Sequence, residues 1–276
     1  MHSRFSVPAG AGGQATCLRE RALAALAAGP WPDKLAAVRA IADDARVDAA
    51  RELAAAAPLP GRPARPELVS PAQVKQRSMA TVEGRAALLH ALAHIEFNAV
   101  NLALDIVWRF SGMPEAFYRD WLRVAREEAH HFDLLNRRLA ALGYAYGDFP
   151  AHNGLWEMAE KTRGDLLARL ALVPRTLEAR GLDASPLIRD KLAGAGDAES
   201  AAILDIILRD EIGHVAIGNR WYRHLCAQAG ADPVACYAEL AQRYGAPRLR
   251  GPFNLEARRA AGFDEAELAA LTAPAA

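Results

Sequence analysis

"REEAHHFDLL", residues 126–135, sets two acids and two histidines within five consecutive positions, so that Glu127 precedes His130 by three residues and Glu128 precedes His131 by three. On a helix the neighbours of a side chain lie at i±3, i±4 and i±7. For Glu128 these are Trp121, Val124, Ala125, His131, Phe132 and Leu135, an apolar face apart from the histidine. Glu127 has Asp120, Arg123, Val124, His130, His131 and Leu134 instead. His130 sits among Arg123, Arg126, Glu127, Asp133 and Arg137. Phase alone therefore turns Glu128 and His131 toward a core, leaves Glu127 at its border and exposes His130.

The same test on "LRDEIGHVAIG", 208–218, singles out Glu211, whose neighbours are Leu204, Ile207, Leu208, His214, Val215 and Gly218. His214 again follows at i+3. Asp210 faces inward as well, flanked by Ile203, Ile206, Ile207 and Ile217, and Glu96 is surrounded by Leu89, Leu92, Ala93, Ala99, Val100 and Ala103. A carboxylate aimed at an apolar core costs several kcal/mol unless it is paired or binds a cation. No lysine or arginine is in phase to neutralise these acids, which leaves a metal. One Glu-x-x-His is ordinary helix surface; two, both in apolar phase on separate helices, are not.

Alanine and leucine dominate the 276 residues, β-branched residues are sparse and period-2 alternation is short, which argues for an all-α chain. Thirty-three basic and thirty-three acidic residues cancel, so bulk charge gives no reason to expect nucleic-acid or membrane binding. The most apolar stretch, 86–108, is interrupted by His90, His94, Glu96, Asn98, Asn101 and Asp105, too many polar groups for a lipid span. Cys17, Cys226 and Cys236 have neither metal nor disulfide spacing and read as free thiols, and no N-terminal segment has the order of a signal peptide. A soluble, cytoplasmic protein is expected.

Three regions are expected: an N-terminal helical extension and Pro-rich connector over 1–75, a helical bundle over 76–228, and a C-terminal extension over 229–276 packed on it. Residues 1–14 read as loose, 15–56 as two or three short helices, and Pro58, Pro60, Pro63, Pro66 and Pro71 as breaks in an extended connector. Four long helices follow, over 79–110, 115–142, 154–180 and 198–228. Gly143 caps the second, Pro174 kinks the third and Gly181 ends it. The tail reads as irregular, with one short helix over 264–271.

Glu96 lies fourteen residues before the end of the first helix and Glu128 thirteen after the start of the second. Each arm is about 20 Å, so a short loop between antiparallel neighbours brings both glutamates to one level. The spacing then repeats: 32 residues separate Glu96 from Glu128, and 33 separate Glu178 from Glu211. The resulting Glu … Glu-x-x-His … Glu … Glu-x-x-His is the ligand pattern of a two-metal carboxylate site inside a four-helix bundle. Glu178 is the weakest member. Its face is mixed, and it falls near the apparent helix end unless the helix resumes through "PLIRDKL", 186–192; Glu157 and Glu160 are the alternatives, and Glu178 is preferred. Four carboxylates and two neutral imidazoles balance two divalent cations. Oxygen and imidazole donors suit iron, or manganese in place of one or both, rather than a structural zinc.

These motifs resemble the ferritin-like di-iron carboxylate superfamily. "EEAHHFDLL" is similar to the second ligand helix of acyl-carrier-protein desaturases, and "RDEIGH" to the fourth helix of desaturases and ribonucleotide reductase small subunits. "EGRAALLHALAHIEFNAVNLALD" (83–105) and "LVPRTLEARGLD" (172–183) resemble more specifically an uncharacterised bacterial ferritin-like family distantly related to a tRNA-modifying di-iron hydroxylase. The likeness spans about 60–260. It implies a ferritin-like four-helix bundle with added N-terminal helices and an irregular C-terminal segment. It also implies Glu96, Glu128, His131, Glu178, Glu211 and His214 as ligands of two iron ions. In such sites the acid before a ligand glutamate often holds the opposite histidine, which gives that role to Asp210 toward His131 and to Glu127 toward His214.

The function this implies is an O2-activating oxidoreductase that hydroxylates or oxidises an organic substrate with help from an electron donor. The alternatives are an iron-handling or oxidant-scavenging protein without such a substrate, and a protein whose metals only brace its fold. The partners expected are an unidentified small or macromolecular substrate, no membrane and a possible second copy of the chain. The segment "RYGAPRLRGPFNLEARR", 243–259, interleaves Arg243, Arg248, Arg250, Arg258 and Arg259 with Tyr244 and Phe253. That pattern can hold phosphates and stack a base, so a tRNA is kept in view, but a solvated tail with ordinary ion pairs is the preferred reading. His90 and His94 read as core or interface histidines, and Trp108, Trp121, Trp156 and Trp221 as packing residues. Ala93, Ala99, Ala103, Gly213 and Gly218 read as tight helix packing before substrate room.

Overall fold

The computed structural model describes residues 16–75 and 77–273; the loose segment expected over 1–14 lies outside them. The described residues are helical, with no strand; one isolated parallel bridge joins Leu68 to Ala151. Two short helices, α1 (Leu18–Ala27) and α2 (Trp31–Arg39), precede the proline-rich connector. The first long rod, α3 (Val82–Arg109), begins where the Thr81 hydroxyl accepts from the Gly84 N–H at 3.0 Å. From Glu96 to Trp108 every residue of α3 is buried, as expected of the central helix of a bundle. Its length and composition would let it cross a membrane, but protein packs round most of it.

α4 (Glu115–Ala141) starts directly after Pro114 and returns antiparallel along α3. Its buried residues recur three and four apart, from Phe117 through Trp121, Glu128, His131 and Leu135 to Leu139, and the opposite face meets solvent. Gly143 follows it with φ of 85°, the left-handed conformation that ends a helix.

The third rod differs from the single helix expected over 154–180. It is α5 (Gly154–Lys161), a break, α6 (Leu166–Leu172), a π-turn segment Val173–Glu178, and α7 (Ala179–Gly194). At the break the Thr162 hydroxyl turns back to the carbonyls of Met158 and Ala159, and Asp165 caps α6 by accepting from the Ala168 N–H at 2.9 Å. Pro174 has no N–H to donate to the ladder, and the helix widens there into the π-turn segment. Neither Gly181 nor Pro186 stops the chain; α7 runs on past both. The fourth rod, α8 (Ala198–Ala229), is capped by Asp197 and pairs with α7 and α4.

The tail is also more ordered than expected. It folds as α9 (Pro233–Arg243), α10 (Leu255–Ala260) and α11 (Glu265–Thr272), capped by Asp232, Asn254 and Asp264. At the other end, α1 lies on α3. Arg19 is fully buried and donates to the carbonyls of Val107 and Trp108, at 3.2 and 2.7 Å, closing the C-terminus of the central rod.

A buried charge network ties the break in the third rod to α3. Asp105 receives Arg169 at 2.5 Å, Arg109 at 2.7 Å and the Trp108 indole N–H at 3.1 Å, while Arg169 also donates to the Thr162 hydroxyl at 2.9 Å. Both Asp105 and Arg169 are fully buried. Replacing Asp105 with alanine strands the Arg169 guanidinium without its counter-charge, and we expect a loss of about 3–5 kcal/mol in chemical denaturation. A change under about 1 kcal/mol would mean that solvent reaches the arginine.

Candidate metal centre

Glu96, Glu128, His131 and Glu211 are all buried, and each offers one ligand atom lying within 4.8 Å of the others'. They come from three rods: α3 brings Glu96, α4 brings the Glu128–His131 pair one turn apart, and α8 brings Glu211. The equal-arm argument explains the meeting of the first two. Glu96 lies thirteen residues from the end of α3, and Glu128 thirteen from the start of α4.

Each imidazole is held across the bundle. His131 points Nδ1 at Glu96 Oε2 (3.3 Å) and Glu128 Oε2 (3.4 Å), with Nε2 3.1 Å from Asp210 Oδ2 on the facing rod. His214 mirrors it: Nδ1 is 3.0 Å from Glu128 Oε1 and 3.5 Å from Glu211 Oε1, and Nε2 is 2.7 Å from Glu127 Oε2. The two rings are 5.7 Å apart. Glu128 thus shows one oxygen to each imidazole and spans the two halves. The acids before Glu128 and Glu211 each brace the histidine of the opposite helix, the arrangement implied by the resemblance. Glu127 lies at the border, with 39% of its side chain exposed. Asp210 corrects the inward reading: it is also at the border, 19% exposed, with its second oxygen 2.8 Å from Arg209.

Glu178 and His214 fall outside the tightest group of four. Glu178 is placed by the π-turn segment, and it lines the same cleft as Glu96 and Glu211. Its approach depends on Gly218 of α8: a Cβ there would stand 2.7 Å from the Pro174 Cβ, so only glycine lets the rods come this close. Gly218 is therefore a packing residue. Among the alternatives, Glu157 is exposed at the cleft mouth and Glu160 points to Arg163 at 3.9 Å. His90 and His94 are buried staples for the loop after α4. The His90 Nε2 accepts from the Gly147 N–H at 2.9 Å, and His94 bonds the Tyr146 hydroxyl at 2.8 Å and the His152 carbonyl at 3.1 Å.

The charge in this pocket is poorly compensated by protein alone. Burial, then the neighbouring Glu128, pushes the Glu96 carboxyl up to about 8. Burial and the charges of Glu128 and Glu211 raise Glu178 well above the usual range. Against its own burial, His131 is raised to about 11 by Glu128 and Glu96, and His214 rises likewise beside Glu128 and Glu127. Burial and Glu211 oppose ionisation of Glu128, but the imidazoles of His214 and His131 outweigh them and hold it below its ordinary value. Both oxygens of Glu128, one each of Glu96 and Glu178, and the inward Nδ1 of both histidines are buried without a hydrogen-bond partner. Orphaned donors of this kind, aimed at one spot, are what a cation satisfies.

Among the described residues, the ion pairs of Glu96, Glu128 and Glu211 are with these histidines alone. Phase reasoning missed Arg175. It is 4% exposed on the π-turn segment and is held by Glu267 of α11, the Asn219 amide oxygen at 2.5 Å and the Tyr222 ring at 4.0 Å. The apolar run "LARLALVP" before it was the available signal. In the basic tail, Arg259 pairs with Glu265 at 2.6 Å in the open, whereas Arg258 is buried against Asp183 at 2.6 Å and so departs from the solvated tail expected.

Cation uptake must expel the imidazole protons and the proton of Glu96, because both histidines are raised above neutrality and Glu96 is protonated below about 8. Loading is therefore expected to acidify a weakly buffered solution, and the apparent affinity to rise as pH rises through neutrality. Affinity that falls or stays flat over that range would place the donors in water.

Residues 29–269 match a family model described as "Protein of unknown function (DUF455)". A Haemophilus influenzae protein (strain ATCC 51907 / DSM 11121 / KW20 / Rd), described as an uncharacterized protein, is 55% identical over 213 residues, covering 75% of this chain and 74% of its own. No solved structure matches. With most of its length inside the family model, the chain belongs to the DUF455 family.

Proposed function

We propose that this protein is a ferritin-like, non-haem di-iron oxidoreductase that uses O2 to hydroxylate or otherwise oxidise an organic substrate. The observation that carries this reading is the pair of cross-braced imidazoles whose inward nitrogens face partnerless carboxylates at the floor of an open cleft. Glu96, Glu128 and His131 would hold one cation, and Glu178, Glu211 and His214 the other, with Glu128 shared. Bound there, two iron ions, or manganese in place of one or both, supply electrons to O2 and oxidising power to a substrate.

The chain's own part is to hold the donors ready. With a proton on Nε2 given to Asp210 or Glu127, each imidazole would turn an Nδ1 lone pair inward once its other proton has left. Among the described residues no arginine or lysine pairs with Glu96, Glu128, Glu178 or Glu211, so their charge is available to cations. The three cysteines are free thiols, which suits a reducing, cytoplasmic setting. An iron-storage bundle requires the centre alone; the cleft of about 560 Å³ that reaches it favours an organic substrate.

Reconstitution with ferrous iron without oxygen, followed by metal analysis and optical spectra before and after O2, tests the reading. We expect about two irons per chain and a new near-ultraviolet absorption on oxygenation. Metal that O2 leaves spectrally unchanged would favour a bracing role. Glu128→Ala and Glu211→Ala should each abolish loading, whereas Glu127→Ala should weaken it by roughly 10–100-fold. Equal loss at 127 and 128 would overturn the assignment.

A further inference from the structure

The cleft changes character with depth. Its floor holds Glu96, Glu178 and Glu211 beside the apolar Ala99, Met158 and Ile207, and all but Glu178 are buried. Above them Leu92, Leu155, Leu177 and Ile188 form a partly buried apolar shaft. At the mouth, Ile95 is 43% exposed, one of the few large apolar side chains left in water. Lys161, in the last turn of α5, and Arg180, in the first turn of α7, are exposed beside it. Neither makes an ion pair among the described residues, whereas Arg138, Arg189 and Arg259 are answered by acids. The acid at the mouth, Glu157, is four residues from Lys161 and also unpaired.

Resting on the di-iron reading above, we propose that the substrate is a small amphipathic anion. Its apolar body fills the shaft, and its carboxylate, sulfate or phosphate is held at the mouth by Lys161 and Arg180. The rim fixes the orientation. Two cations from different helices offer charge-assisted hydrogen bonds there, whereas Leu92, Leu155, Leu177 and Ile188 along the shaft offer an anionic head no partner. The apolar end is thereby presented to the metal centre. One wall of the shaft is kept low by Gly181, Ala184 and Ser185, successive positions on one face of α7. A Cβ at Gly181 would meet nothing within 4 Å, so a larger side chain there grows into the cleft and not into the fold.

The test is calorimetric titration of the full chain with decyl sulfate below its micelle threshold, alongside decyltrimethylammonium and decanol. Decyl sulfate should bind one per chain, at least about tenfold tighter than the cationic probe. Lys161→Ala with Arg180→Ala should lower decyl sulfate affinity roughly tenfold and leave decanol unchanged. Gly181→Leu should weaken both probes. Since the two basic residues are exposed, their loss does not threaten folding, and circular dichroism checks the glycine variant. Equal binding of the two charged probes, or a Gly181→Leu protein that binds as before, would overturn the proposal. Iron content of every variant is measured in parallel. Wild-type protein that loads no iron yet shows the probe pattern keeps the cleft assignment and refutes the metal reading; normal loading with no probe pattern does the reverse.

Discussion

Two carboxylates, Glu96 and Glu128, are buried close to one another, and Glu96 lines the floor of the cleft. In the protein alone, burial and mutual repulsion are relieved by two imidazoles, and Glu96 still needs a raised pKa of about 8. Buried ions at this density are tolerated only where their partners are fixed, since a buried charge that loses its partner costs several kcal/mol. That requirement explains why the histidines are braced from the opposite rod. Asp210 and Glu127 sit at the border, partly in water. From there each reaches inward to fix one ring. The motif Glu-Glu-x-x-His and its counterpart Asp-Glu-x-x-His therefore act as one unit across α4 and α8, and neither helix can shift register without breaking both braces.

The third rod is the least regular part of the bundle, and its irregularities converge on one residue. The proline at 174 and the π-turns around it carry Glu178, the glycine at 218 lets α8 come near enough to meet it, and Arg175 anchors the same segment outward to Glu267 and Asn219. Glu267 also holds Arg223 of α8. The C-terminal helix is thus wired to the segment that positions Glu178, although α11 lies far from it in sequence. A widened helical turn costs regular hydrogen bonding and recurs at functional sites; here it turns a side chain with a mixed helical face toward the cleft.

The sequence made the strongest elements legible and hid those that depend on contacts across the fold. Glu96, Glu128, Glu211 and both histidines could be read because their helical neighbours are almost uniformly apolar, and a charge in such a setting needs explanation. Glu178 could not be read with the same force: its neighbours include Pro174, Arg175 and Gly181, and an ideal period of 3.6 places it wrongly once π-turns intervene. Thr162 and Asp165 mark the break after α5 only in hindsight, since each is ordinary inside a helix until its hydroxyl or carboxylate turns back on the backbone. The tail looked irregular because proline and glycine punctuate it; its last helix, after Asp264, was legible, yet Asp232 and Asn254 are N-caps of the ordinary kind too and carried the missed signal. Arg169 and Arg175 were hidden because the acids that hold them, Asp105 and Glu267, are 64 and 92 residues away.

Those two arginines bear on why the centre stays free for cations. Both lie fully or nearly buried on the third rod, which also carries Glu178. Asp105 and Glu267 take them, with Trp108, Thr162, Asn219 and Tyr222 completing their surroundings. A guanidinium so engaged has no incentive to swing toward Glu96 or Glu178, because leaving its own acid would strand a second buried charge. The bundle thus separates its buried charge into closed pairs that hold the rods together and a cluster of carboxylates and imidazoles that no base enters. This separation, more than the mere presence of glutamates, is what gives the site its capacity for metal, and it leaves the cleft's free cations, Lys161 and Arg180, out at the mouth.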